Sequence, residues 1–364
     1  MLGLNDNKNN ICFIANGNRH IIECCTAIVS ILMNSEDNEN FIFHMISEDI
    51  NESDKSKFLK LKETKDFDIY FYKPNTDKYK KWVEESKGKI INSWSHHVFL
   101  KLEIMNILKD LDKVLFLDSD TIVLKNLRDI FNTNIDNYYL LAAEFNINRA
   151  KCLREHDGYR QFNIHNPDND MKTLIKSMDL MMKNIGILDK KPNEWVNSGF
   201  MYMNLKSIRE VMTEESIDNY FLQLINSDIN AFGDEAFFNY FIPNNKILRV
   251  SESYNATNAI WRKEEYCDVH VAHFTGIGTL LLSTNIAHLI LEEKNSILLS
   301  AWRYLMHTPY FKENPFYFLD LFSRYNTNKL ECRINKISDI LVWLIPIKKF
   351  RDKIRKMIQE ATIY

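Results

Sequence analysis

Apolar and polar residues come in blocks along the first third of the chain, and the spacing within a block changes from one to the next. "NICFIAN" (Asn10–Asn16) is a short unbroken apolar run, the pattern of a strand buried on both faces. "HIIECCTAIVSILMNS" follows, with Ile21, Cys25, Ile28 and Leu32 three or four residues apart on one helical face. "FIFHMIS" (Phe41–Ser47) is a second strand, "NESDKSKFLKLKET" has an Asn/Ser start and helical character, and "FDIYFYK" (Phe67–Lys73) is a third strand. "SHHVFLKLEIMNILKDL" reads as helix and "KVLFLD" (Lys113–Asp118) as the fourth strand. Strand, helix, strand, helix predicts an α/β fold of the doubly wound type, with a parallel sheet covered on both faces and ligands bound at the carboxyl ends of its strands.

After "YLLAAEF" (Tyr139–Phe145) the pattern turns polar and aperiodic, and residues 146–191 read as an insertion that covers substrate, with short helices of its own. Regular patterning returns at "WVNSGFMYMNL" (Trp195–Leu205), followed by a helix-like "SIREVMTEESIDNYFLQLI", then "GDEAFFNYFI" and a short strand "DVHVAHF". Beyond about Leu280 the sequence reads mostly helical, giving a catalytic domain over 1–280 and a helical region over 281–364.

Composition narrows the class. Of 364 residues, 45% are hydrophobic and 26% charged, a globular balance. A formal net charge of -3 gives no reason to expect nucleic acid, whose binders carry a basic excess. The six cysteines, Cys12, Cys24, Cys25, Cys152, Cys267 and Cys332, form no Cys-x-x-Cys pair, so packed, reduced thiols and a cytoplasmic setting are expected. "MLGLNDNKNN" lacks the basic start and apolar run of a secretory signal, and no run approaches the ~20 apolar residues of a spanning helix.

The candidate chemistry starts at "LDSD". Asp118 and Asp120 leave the fourth strand at i and i+2, from where both carboxylates reach one hard cation if the backbone turns between them. The competing reading is a turn that only ends a strand. "HFTG" places His273 just past an apolar strand as a third ligand; "NSGF" supplies Asn197 and Ser198 before a glycine that allows close backbone approach; "GDEAFFN" supplies Asp234 and Glu235, as helix-capping acids or as acids aimed at a sugar.

In this order the motifs "LDSD", "NSGFMYMNL", "GDEAFFN" and "HFTG" resemble glycosyltransferase family 8, retaining transferases of the GT-A, Rossmann-like fold that include bacterial lipopolysaccharide galactosyl- and glucosyltransferases. The resemblance spans Ile11 to Gly276, about three quarters of the chain. It implies that Asp118, Asp120 and His273 hold Mn²⁺, with Mg²⁺ as the alternative ion. It implies that Ala15, Asn16 and Asn18 of "ANGNR" meet the nucleoside of a UDP-sugar, and that Lys101 stands where the family commonly has arginine. Ser119, Ser198 and Gly276 fall on donor-contacting positions; Asn197 and Asp234 fall on positions that bind the donor sugar, and Glu235 stands where relatives usually carry glutamine. The resemblance further implies transfer of galactose or glucose to a glycan or glycolipid acceptor such as lipopolysaccharide. Two departures stand out: Asn16 replaces an aspartate, and Gly278 and Thr279 occupy the stretch where relatives place a lysine that meets the diphosphate.

Two rivals remain at this point. A haloacid-dehalogenase-type phosphatase also uses Asp-x-Asp after a strand, normally the first one. A catalytically inactive nucleotide- or carbohydrate-binding remnant of the transferase fold would keep the same motifs. The tail carries a separate signal: "ILVWLIPIKKFRDKIRKMIQE" sets Phe350, Ile354, Met357 and Ile358 on one helical face against Lys348, Lys349, Arg351, Lys353, Arg355 and Lys356. That pattern predicts a peripheral hold on an anionic membrane surface, the inner face of the cell membrane.

Overall fold

The computed structural model of the chain describes residues 8–87, 95–144, 171–227, 233–257, 268–275 and 296–320. The apolar runs form the strands expected of them: β1 (Asn9–Ile14), β2 (Phe41–Ile46), β3 (Asp68–Tyr72) and β4 (Lys113–Asp118). All four are parallel, with β1 between β2 and β4. The short β5 (Thr121–Val123) follows, then β6 (Leu140–Ala143), β7 (Phe200–Asn204) and β8 (Ile247–Val250). Among the described residues the central sheet has seven strands in the order β3, β2, β1, β4, β7, β6, β8.

The sheet departs from the all-parallel expectation at β7, which runs antiparallel to both β4 and β6, while β6 and β8 are parallel to each other. "FMYMN" is buried at every position. A run buried on both faces carries no mark of direction, which is set by how the chain returns from the long segment before it. A second, smaller sheet joins β5 to β10 (Val271–His273) and β9 (Ala256–Thr257), with β10 in the middle.

Each face of the central sheet has its own core. On one, the helix Gly17–Met33 buries Ile21, Cys25, Ile28 and Leu32, as its spacing predicts, against Phe13, Phe43 and Leu115. The helix Ser296–His307 adds Leu298, Ala301 and Leu305 to the same core, and Asn34 Nδ2 donates to Tyr304 Oη at 2.8 Å. On the other face Trp82 stacks on Phe221 at 4.0 Å between ring centroids, beside Phe99, Tyr220 and Phe237. Each such fully buried aromatic contributes about 1.5–3 kcal/mol relative to an exposed one. Cys12, Cys24 and Cys25 are free and buried, and burial raises all three thiols far above their ordinary pKa. Cys152, Cys267 and Cys332 lie outside the described residues, as does the basic tail.

Two stretches read as single helices are broken. "SHHVFLKLE" is a 3₁₀ helix (His96–Glu103) that passes into one α turn at Ile104–Ile107. "SIREVMTEESIDNYFLQLI" divides into Leu205–Val211 and Glu214–Asn226, because Thr213 caps the second helix by accepting from Ser216 N. Within the stretch read as an insertion, the helix Met171–Asn184 is described. Among the described residues no helix is long and apolar enough to cross a membrane.

The strand order fixes where a ligand belongs. β1 connects to β2 on one side and pairs with β4 on the other, so the chain reverses its lateral direction between β1 and β4, and a crevice opens at their carboxyl ends. Ile14 is level with Asp118 there.

Candidate active site

Asp118 is the last residue of β4, and its N–H donates to Gly199 O at 3.0 Å, which ties it to the start of β7. The chain then turns sharply: Thr121 Oγ1 donates to Asp118 O at 2.8 Å, and β5 carries Asp120 back toward β10. His273, the last residue of β10, is paired with Thr121 and buried. Its Nε2 lies 3.6 Å from Asp118 Oδ2 and 3.3 Å from Asp120 Oδ1. One ligand atom from each of these three residues falls within 4.8 Å of the other two.

The donor set suits a divalent ion, two carboxylates and an imidazole being compatible with Mn²⁺. His273 is also oriented for ligation. Its Nδ1 shares a 2.8 Å hydrogen bond with Asn255 Oδ1, which leaves Nε2 as the lone-pair nitrogen facing the aspartates. Burial disfavours the imidazolium, but Asp120 and Asp118 outweigh it and hold the His273 pKa above its ordinary value. Proton and cation therefore compete for Nε2, and ion binding should weaken as the pH falls.

Lys101 forms the second half of the site. Buried, it places Nζ 2.9 Å from Asp118 Oδ1 and 2.9 Å from Asp234 Oδ2, and donates to Ser198 Oγ at 2.8 Å. Burial opposes its charge, and the two carboxylates overcome that and raise its pKa. Asp234 opens the helix Asp234–Phe241; its cap is Gly233, and its carboxylate accepts from Ser198 Oγ at 2.6 Å rather than capping the helix.

Glu235 faces the same space. Trp195 Nε1 donates to its Oε2 at 2.8 Å and Asn197 Nδ2 to its Oε1 at 2.6 Å. Burial and the Asp234 charge nevertheless prevail over these donors and push the Glu235 pKa up to about 7. Asn197 Oδ1 in turn accepts from Asn255 Nδ2 at 2.7 Å and from Gly199 N at 3.0 Å. A continuous chain of contacts thus runs from Glu235 through Asn197 and Asn255 to His273.

The residues expected from the sequence are therefore brought together in one network: Lys101, Asp118, Asp120, Asn197, Ser198, Asp234, Glu235 and His273. Ser119 is buried and, with Glu23, lines a small cavity behind Asp120. Ala15 and Asn16 follow the end of β1, and Asn18 lies in the first turn of the helix Gly17–Met33. Ala15 N donates to Ile46 O at 3.2 Å, and Asn18 is exposed. Asn16 is buried, accepts from Glu48 N at 2.7 Å, and leaves its Nδ2 buried with no hydrogen-bond partner, a donor with capacity for a ligand. Gly17, at φ +79°, makes the left-handed turn of this loop. Gly276, Gly278 and Thr279 lie outside the described residues.

Three contributors were not foreseen. Asn255 orients His273, and Trp195 holds Glu235. Asn239, fully buried, accepts from Val196 N and donates to Val196 O, both at 2.9 Å, and so fastens the Trp195–Gly199 segment to its helix. Trp195 sits next to "NSG" and Asn239 closes "GDEAFFN", so both carried a proximity signal; Asn255 carried none.

A model described as "Glycosyl transferase family 8" matches residues 10–279. The chain belongs to that family. It is a glycosyltransferase with a mixed α/β fold of the GT-A type. The galactosyltransferase LgtC, solved with donor and acceptor sugar analogs, superposes with a TM-score of 0.54 at 18% identity, over 82% of this chain and 96% of that one. An active-site glutamine-to-glutamate mutant of LgtC superposes equally, with a TM-score of 0.54 at 20% identity over 81% and 99% of the two chains. The bifunctional glycosyltransferase WbbM gives a TM-score of 0.56 at 15% identity over 86% of this chain; the chain spans about half of WbbM, 52%. At these identities the likeness is one of fold. No curated sequence matches.

Proposed function

We propose that this family 8 enzyme transfers a hexose, galactose or glucose, from a UDP donor to a cell-surface glycan acceptor such as lipopolysaccharide or lipooligosaccharide, with retention of configuration. The observation that carries this reading is the convergence of Asp118, Asp120 and His273 beside the Lys101–Asp234 and Asn197–Glu235 contacts. The first three would hold Mn²⁺, or Mg²⁺ in its place. When bound, the ion supplies positive charge to the diphosphate that leaves as the sugar C1–oxygen bond breaks.

The chain's own residues have separable parts. Asn16 offers its unpaired Nδ2 to the nucleoside. Lys101 holds Asp118 and Asp234 at fixed spacing. Asp234 and Asn197 receive the hydroxyls of the donor sugar. Glu235, poised near neutrality, lies where charge develops at the anomeric carbon, and it acts electrostatically rather than as a nucleophile. We place the enzyme in the cytoplasm, on the inner face of the membrane through its basic C-terminal segment. The family match leaves the phosphatase alternative without support, and the assay that follows also addresses an inactive remnant.

Thermal melting with UDP-galactose, UDP-glucose and UDP, each with and without Mn²⁺, tests the reading. A binder of the folded state at ~100 times its dissociation constant stabilises by about 2.7 kcal/mol, a shift of a few degrees for a chain of this size. A metal-dependent shift with at least one UDP-hexose, and turnover of that donor, is the expected result. Absence of any shift with all three nucleotides would sink the donor assignment.

Glu235→Gln gives a second test, on pH. The folded-state pKa of about 7 lies above the 4.5 of a free glutamate, so the native protein binds more protons between these values and loses stability as the pH rises through them. The variant is therefore expected to be more stable than the parent above pH ~7, by about 1–3 kcal/mol, with the difference fading toward acid pH. Its turnover should stay within about tenfold of the parent and lose the parent's pH dependence near neutrality. Denaturant melts and rate profiles from about pH 5 to 9 read both, and a covalent glycosyl adduct on Glu235 would contradict the electrostatic role.

A further inference from the structure

A second cluster with ligand geometry lies outside the transfer site. Glu48 follows the end of β2, and His96 and His97 open the 3₁₀ helix that carries Lys101. His96 Nε2 is 2.8 Å and His97 Nε2 2.9 Å from the same carboxylate oxygen, Glu48 Oε2. The ligand atoms of all three lie within 4.8 Å of one another, the same closeness as the aspartate–histidine group of the active site.

The surroundings orient two of the three ligands, Glu48 and His97. Glu48 Oε1 is engaged by Thr76 Oγ1 at 2.8 Å and Lys80 Nζ at 2.5 Å, which leaves Oε2 to face the imidazoles. His97 Nδ1 is 2.7 Å from Ser95 Oγ, a hydroxyl able to accept a hydrogen bond from Nδ1–H in the tautomer that leaves the Nε2 lone pair for a metal. All three side chains are partly exposed, at 17–31% of their area, so an ion and its waters can enter.

We propose that Glu48, His96 and His97 form a second divalent-metal site, selective for imidazole-preferring ions of the Zn²⁺ type rather than for Mg²⁺ or Mn²⁺. Two neutral imidazoles and one carboxylate are a borderline-soft donor set, with open positions for water. The site differs in kind from the oxygen-rich group at Asp118. Its ion would join the end of β2 to the segment leading to Lys101. Because Glu48 N–H donates to Asn16 Oδ1, it would also steady the loop after β1.

Calorimetric titration of the full chain with Zn²⁺ tests this without reference to any sugar. The parent is expected to bind one zinc ion more than the double variant His96→Ala/His97→Ala, and either single variant should weaken that ion at least ~10-fold. Equal zinc stoichiometry in parent and double variant overturns the proposal, as does a parent that binds none. A second measurement needs no variant. With less than one equivalent of Cu²⁺ on the parent protein, electron paramagnetic resonance should resolve hyperfine coupling to two imidazole nitrogens. Coupling to a single imidazole would place the ion elsewhere and refute the site. The zinc result stands or falls independently of the donor assignment, which only the nucleotide melts address.

Discussion

Asp118→Asn should lower kcat/KM by at least ~10³-fold while leaving the protein folded. The carboxylate meets two demands at once: Oδ1 lies 2.9 Å from Lys101 Nζ, and Oδ2 lies 3.6 Å from His273 Nε2 in the ion-holding group. An amide of the same shape keeps the hydrogen bond from Asp118 N to Gly199 O, a backbone contact, and so preserves the join between β4 and β7. It removes one of the two negative charges that an ion would meet there, and it presents an N–H₂ group to Lys101 or His273. Loss of charge stabilisation at a departing diphosphate is worth several kcal/mol, which sets the size of the rate effect. Mn²⁺ binding, followed by the electron paramagnetic resonance of the free ion, should weaken in parallel, with the melting temperature nearly unchanged. Undiminished Mn²⁺ affinity in the variant would remove Asp118 from the ion's shell.

Gly199→Ala should cost about 2–4 kcal/mol of stability and disable the site although it adds one methyl group. A β-carbon on Gly199 would stand 2.2 Å from His273 Cε1, 2.5 Å from His273 Nδ1 and 3.0 Å from Asn197 Oδ1. No real β-carbon sits at such distances, so something must move. His273 has little freedom to yield: it is buried at the end of the middle strand of the small sheet, and its Nδ1 is bonded to Asn255. Overpacking of this kind costs a few kcal/mol, and a displaced imidazole loses its aim at Asp118 and Asp120. Chemical denaturation and Mn²⁺ titration read the two effects. The double variant Gly199→Ala/His273→Ala removes the obstructing ring and should recover most of the stability but none of the metal affinity, a coupling that a double-mutant cycle isolates. Additive losses would show that the collision is not with His273.

Glycine at 199 illustrates how far the sequence could be read. "NSGF" announced close backbone approach, and the structure shows that the imidazole of a residue 74 positions on is one group that approaches. Lys101 is similar. The resemblance puts it where relatives carry an arginine, and the structure adds that it stands between Asp118 and Asp234 as their shared counter-charge. Glu235 reads as a simple replacement of glutamine in the sequence; only its burial next to Asp234 brings it near neutrality.

What the sequence by itself determined is local and periodic. Unbroken apolar runs specified β1, β2 and β4, the spacing of Ile21, Cys25, Ile28 and Leu32 specified a buried helical face, and the order of four short motifs specified the family and most of the candidate site. Tertiary structure alone decided the reversed direction of β7, the placing of Asn255 behind His273, and the meeting of Glu48 with His96 and His97. The reason is that side-chain periodicity records which face of an element is buried, whereas strand direction and contacts between distant polar groups depend on how whole elements pack. A hydrogen bond between residues 18 or 48 positions apart leaves no trace in either one's neighbours.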